Sequence, residues 1–198
     1  MSESDFPGIK HVAALLDETE DKHDHWLTYE LGGPCLTKSL FEVKGQFHKG
    51  ERIYHIEHQD FYYALKEDRQ VMQQFVQKML EILDLLTYLD IVHADLKPDN
   101  ILVDFDGEKI NELKPIDFGS AFVFSDVKSV PATTPEYLAP EVLQFMEKRG
   151  RGVMESSKGL FKKMDVWSFD MWSLGSILLE IISGFPLWLS YKGRCINS

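Results

Sequence analysis

The stretch from Trp172 to Leu189 constrains the fold more than any other, because it is apolar on nearly every side and broken only by Glu180. A helix of this kind has no polar face to offer water, so it must be buried from nearly all sides. The rest of the chain has to be built around it. Gly184 and Pro186 end it, which places the helix from about Met171 to Ser183. That falls short of the roughly 20 uncharged residues of a bilayer span, so the reading is a core helix and no membrane association. With 198 residues the chain has room for such a core, since chains of this size bury roughly 70% of their unfolded surface.

A second helix is written just after residue 66. Val71, Met72, Phe75, Val76, Met79, Ile82, Leu83 and Leu86 fall three or four apart, the spacing of one helical face. Glu67 and Asp68 then occupy its first turn, where carboxylates suit the positive helix end. GIKHVAALLDE reads as a short apolar strand running into an acidic turn. HWLTYELGG reads as a second strand, closed by two glycines and Pro34. ILVDFDGEKINELKP gives two short strands around an Asp106-Gly107 turn. Residues 43–62 show no clear period and predict a loop-rich stretch with room for a hairpin.

Charge and cysteine usage exclude several functions. A net charge of −11 argues against nucleic-acid binding, which needs clustered Lys and Arg. Cys35 and Cys195 stand in no paired spacing, so neither a disulfide framework nor a thiolate zinc site is expected. His55 and His58 read as surface residues without a metal role, because no other ligand cluster supports them. MSESDFPGIK carries no signal-peptide pattern, which points to cytosol or nucleus.

Three polar clusters carry the chemistry: His93-Ala94-Asp95-Leu96-Lys97-Pro98-Asp99-Asn100, Asp117-Phe118-Gly119, and Thr134-Pro135-Glu136-Tyr137-Leu138-Ala139-Pro140-Glu141. Asn100 and Asp117 offer hard oxygens of the sort magnesium prefers alongside phosphates and water. Asp95 can accept a hydroxyl proton, and Lys97 can steady charge on a transferring phosphoryl group. A base, a cation and two metal ligands are the parts of in-line phosphoryl transfer.

In that order the clusters resemble the catalytic loop, metal-binding triplet and activation-segment end of eukaryotic protein kinases. Asp170-Met171-Trp172-Ser173-Leu174-Gly175 is similar to the start of the family's central helix. The resemblance implies an α+β, protein-kinase-like fold, mainly the helical C-lobe with a remnant of the N-lobe sheet. It implies one partial domain over 1–198, with N-lobe strands and hinge at about 9–33 and an incomplete C-lobe at about 34–198. It further implies ATP and Mg2+ as cofactors, a protein substrate, and transfer of the γ-phosphate to Ser or Thr hydroxyls.

Carried over residue by residue, Asp95 matches the catalytic base, Lys97 the lysine on the transferred phosphate, and Thr134 the threonine bridging the two. Asn100 and Asp117 match the magnesium ligands, and Asp170 the brace beneath the catalytic loop. Glu30 to Gly32 look like the hinge that binds adenine through its backbone, with Tyr29 as gatekeeper.

Three departures temper these expectations. Ala94 replaces the arginine that grips an activation-loop phosphate. Of Ser125, Ser129, Thr133 and Thr134, only Thr134 is then expected to matter. No glycine-rich loop or strand lysine precedes residue 9, and later C-lobe helices are missing, so the domain reads as truncated at both ends. This leaves an inactive kinase-fold scaffold or binding module as the alternative, with a partner protein covering the exposed C-lobe face.

Overall fold

The computed structural model describes residues 6–126, 133–150, 164–189 and 194–197. Those residues form nine β-strands and five α-helices, with short 3-10 turns between them. The longest helix, α3 (Arg69–Tyr88), follows the apolar period closely: Val71, Phe75, Met79, Ile82, Leu83 and Leu86 are buried. Asp68 caps it, its carboxylate accepting the Gln70 N–H at 2.7 Å, which satisfies one of the helix's orphan donors. Glu67 belongs instead to the preceding α2 (Asp60–Glu67).

The apolar helix α5 (Ser168–Ser183) ends where Gly184 turns left-handed at φ 69°. It is buried on one side only. Leu174, Ile177 and Ile181 sit in the core, while Trp172 (48% exposed), Leu179 (55%) and Ile182 (62%) face outward. This corrects the expectation of burial all round: no described element packs across its outer face.

Toward the amino terminus, the first part of the strand expected in residues 8–18 is instead a 3-10 turn, Pro7–His11, lying on α3. The strand proper, β1 (Leu15–Glu20), takes in part of the acidic run, and β2 (His25–Tyr29) pairs with it antiparallel. The turn between them is narrower than the sequence implied. Asp21 closes it by accepting the His23 and Asp24 N–H groups at 2.8 and 2.9 Å.

Residues 43–62 resolve into a hairpin and the helix after it. Strand β3 (Phe41–His48), entered from the short α1 (Leu36–Leu40), pairs antiparallel with β4 (Glu51–His58). Lys49 and Gly50 both take positive φ at the tip, as a twist-matched two-residue hairpin turn requires. His58 is half-buried rather than a surface residue, stacked on Tyr62 at 4.1 Å and bonded to the Gly184 carbonyl at 3.0 Å.

The main core joins α1, α2, α3, α5 and the hairpin of β6 (Ile101–Phe105) and β7 (Ile110–Pro115). Phe75, wholly buried at its centre, would cost about 3–5 kcal/mol if cut to alanine. A smaller cluster of Val92, Ala94, Leu138, Ala139, Val142 and Phe169 links β5 (Ile91–Val92) to α4 (Pro140–Gly150) and α5. The polar residues of the three sequence clusters lie where these two cores meet. No helix among the described residues is long and apolar enough to cross a membrane.

Candidate active site

The loop from His93 to Asn100 leaves β5, which pairs with β8 (Phe122–Val123), and a 3-10 turn at Pro98–Asn100 returns it to β6. Its shape depends on a strained residue. Ala94 sits at φ 66°, a left-handed conformation costing on the order of 1 kcal/mol for a residue with a Cβ. Three bonds hold the turn. Asp170, 3% exposed, accepts the His93 N–H at 2.8 Å and the Ala94 N–H at 3.0 Å. Thr133 donates its hydroxyl to the Ala94 carbonyl at 2.9 Å. Burial pushes the Asp170 carboxyl up, against the pull of those two N–H donors.

This loop presents Asp95, and the other candidates gather on it. Lys97 Nζ lies 2.7 Å from Asp95 Oδ2 and donates to Thr134 Oγ1 at 2.8 Å. The Thr134 hydroxyl donates to Asp95 Oδ1 at 2.8 Å. Asn100 gives its Nδ2 hydrogens to the Asp95 carbonyl and carboxylate at 2.9 and 3.1 Å, which reserves its Oδ1 for another partner. Burial would raise the Asp95 carboxyl, but the Lys97 ammonium and the Thr134 hydroxyl overcome that and hold it below the usual carboxylate range. Asp95 is therefore ionised at neutral pH.

Asp117 comes from the end of β7, beside Asn100: the Ile116 N–H donates to the Asn100 carbonyl at 2.9 Å. Its backbone is left-handed too, at φ 63°, and its exposed carboxylate accepts the Gly119 N–H. His93 ties the two segments together. Its ring stands 4.6 Å from that of Phe118, and with Nδ1 accepting the Asp95 N–H, Nε2 donates to the Ile116 carbonyl. The reading of His93 as a packed core histidine is accurate, and the packing serves the site.

Glu30 and Gly32 lie on a strip that crosses β6. A Cβ on Gly33 would come within 2.0 Å of the Val103 carbonyl oxygen, and one on Gly32 within 2.3 Å of Leu102 Cδ1. Glycine is required for so close an approach. The Val103 N–H donates to the Pro34 carbonyl at 2.9 Å and fixes the strip's far end. Half-buried Leu102 thus underlies the strip, two residues along the chain from Asn100. Tyr29 is half-exposed at the end of β2. The Glu30 side chain is taken up by Lys114 at 2.7 Å.

Sequence reasoning missed Leu102, Thr133 and Lys114. The alternation of β6 could have singled out Leu102; nothing local marks the other two. Glu141, the last residue of the third sequence cluster, is exposed at the start of α4. Two grooves, about 540 Å³ along α3 and about 530 Å³ along α5, lie away from Asp95 and Asp117 and are open and mainly apolar.

Two hard oxygen groups on neighbouring segments fit a magnesium ion that takes its remaining ligands from phosphates and water. Among the described residues no three His, Cys, Asp or Glu side chains cluster into an all-protein metal cage. An ionised carboxylate, a lysine and two oxygen-bearing side chains gathered on an α+β frame are the parts that metal-assisted phosphoryl transfer requires.

The chain belongs to the protein kinase domain family, whose model matches residues 11–197. It is 40% identical over 109 residues to the human cAMP-dependent protein kinase catalytic subunit PRKX, covering 54% of this chain and 25% of that protein. It is 31% identical over 152 residues to the serine/threonine-protein kinase YPK2/YKR2 of Saccharomyces cerevisiae, covering 75% and 19%. To the cAMP-dependent protein kinase catalytic subunit 3 of Drosophila melanogaster it is 35% identical over 123 residues, covering 62% and 18%. The chain thus spans no more than a quarter of the length of these relatives.

Proposed function

We propose that this chain carries the phosphoryl-transfer face of a protein kinase that moves the γ-phosphate of ATP to Ser or Thr hydroxyls. The supporting observation is the Asp95 carboxylate held between Lys97 and Thr134, with Asn100 and Asp117 beside it. Asp95, ionised and fixed on both oxygens, orients the acceptor hydroxyl and takes its proton. Lys97 supplies positive charge where the transferring phosphoryl group becomes more negative. Thr134 sets the distance between the two. Asn100 Oδ1 and the Asp117 carboxylate would hold Mg2+, which neutralises phosphate charge when bound. The backbone of Glu30 to Gly32 receives adenine above Leu102, so residues 9–33 serve as N-lobe strands and hinge and 34–198 as C-lobe.

The test is γ-phosphate transfer from labelled ATP to a Ser/Thr/Tyr peptide library. Asp95→Asn is expected to lower transfer at least about 10³-fold while Mg-ATP still binds; Asp117→Asn is expected to lose both. Incorporation into tyrosine alone, or wild-type activity in Asp95→Asn, would overturn the reading.

A second reading, a module that binds without catalysis, is favoured by one observation. Every residue of β1 and β2 is exposed, so no described element packs against that hairpin. Mg-ATP binding without any transfer would select it.

A further inference from the structure

We infer that Lys114 is a positioning residue that locks the Glu30–Pro34 strip to the strand delivering Asp117, and so sets nucleotide affinity without touching the phosphates. This rests on the strip being the adenine site. Lys114 is 4% exposed, and a buried ammonium is tolerated only when paired. Two carboxylates meet it: Glu30 Oε1 at 2.7 Å and Glu112 Oε2 at 3.0 Å.

The Glu112 pair stays within β7. The Glu30 pair joins segments 84 residues apart. The same Oε1 also accepts the Ala14 N–H at 2.9 Å, while the Glu30 N–H donates to the Ala14 carbonyl at 3.0 Å. One carboxylate therefore gathers the approach to β1, the strip and β7.

The strip is fixed at its far end by the Pro34–Val103 bond and at its near end by Lys114. Leu31, 98% exposed, and Gly32 lie between the two anchors, where an adenine edge would meet backbone groups. Asp117 stands three residues beyond Lys114 on the same chain direction. Base-binding strip and metal ligand are thereby referred to one strand. Burial would lower the Lys114 ammonium, yet Glu30 and Glu112 hold it above its usual range, so the clamp stays charged across the neutral region.

The test follows two readouts on this chain: amide exchange of the strip without ligand, and binding of Mg-ATP against Mg-tripolyphosphate. Lys114→Met is expected to speed strip exchange roughly tenfold while leaving α3 unchanged. It should weaken Mg-ATP roughly tenfold and spare Mg-tripolyphosphate, with Lys114→Arg restoring both. Glu30→Gln, on the more exposed partner, gives the same comparison if Lys114→Met fails to fold. The double variant should be no worse than either single one.

Unchanged strip exchange, or equal loss for both ligands, overturns the proposal. If the wild type binds neither ligand, the phosphoryl-transfer reading fails, and strip exchange alone decides the clamp.

Discussion

Ala94 shows how a single residue can be over-determined. Its N–H is held by Asp170, its carbonyl by Thr133, and its φ of 66° is one a free alanine rarely adopts. The Thr133 bond to Ala94 gives a reason to expect Thr133, and not Thr134 alone, to matter among the nearby hydroxyls. Losing one such bond costs about 1 kcal/mol, and the loop that carries Asp95 would relax away from its lysine. Thr133→Val is therefore expected to lower phosphate transfer about tenfold with little change in Mg-ATP binding, and Thr133→Ser to restore it. Equal rates for valine and threonine would show the tether to be idle. Asp95, Lys97, Asn100 and Asp117 were legible in the sequence because their residue types and order narrow the chemistry. Thr133 was not, because its partner is 39 positions away and only the folded loop brings them together.

The same contrast holds for whole elements. α3 was readable because its buried face repeats at the helical period over five turns. The β3–β4 hairpin was legible only as room for one within a loop-rich stretch, because most of its residues are exposed, so alternation is diluted, and its turn is Lys-Gly rather than Asn-Gly or Asp-Gly. The charge inside α5 carries a consequence for stability. Glu180, 1% exposed, accepts the Tyr137 hydroxyl at 2.7 Å and the Leu187 N–H, both on Oε1. Burial pushes its carboxyl up to about 7 from an ordinary 4.5. The folded chain thus binds a proton more readily than the unfolded one. The resulting stabilisation is complete below pH 4.5, declines as pH rises through 7, and is gone above it. The difference is on the order of 3 kcal/mol. Glutamine keeps the accepting Oε1 and removes the charge. Glu180→Gln is expected to flatten the fall in melting temperature between pH 5 and 8, raising it at pH 8 by roughly 5 °C or more. A variant whose melting curve tracks the wild type at every pH would refute the buried-charge account.

At the scale of the molecule, apolar surface decides behaviour in solution. Trp172, Leu179 and Ile182 stand outward on α5, and Trp167 joins them beside the groove on the same face. Sequence alone marked this helix for full burial, since hydropathy reports what a helix needs and not what surrounds it. A face of several large apolar side chains drives association when it is left open, and a net charge of −11 opposes it only weakly at physiological ionic strength. The described chain is therefore expected to self-associate with rising concentration, more so in high salt, as light scattering would record. Leu179→Lys with Ile182→Glu should return it to a monomer. Both side chains are more than half exposed, so the melting temperature should stay within about 2 °C of wild type. The site is built from the opposite side of α5 and from loops held by Asp170, so nucleotide binding should survive the change. A wild-type chain that stays monodisperse across the concentration range, or a double variant that unfolds, would show that this face is not the source of association.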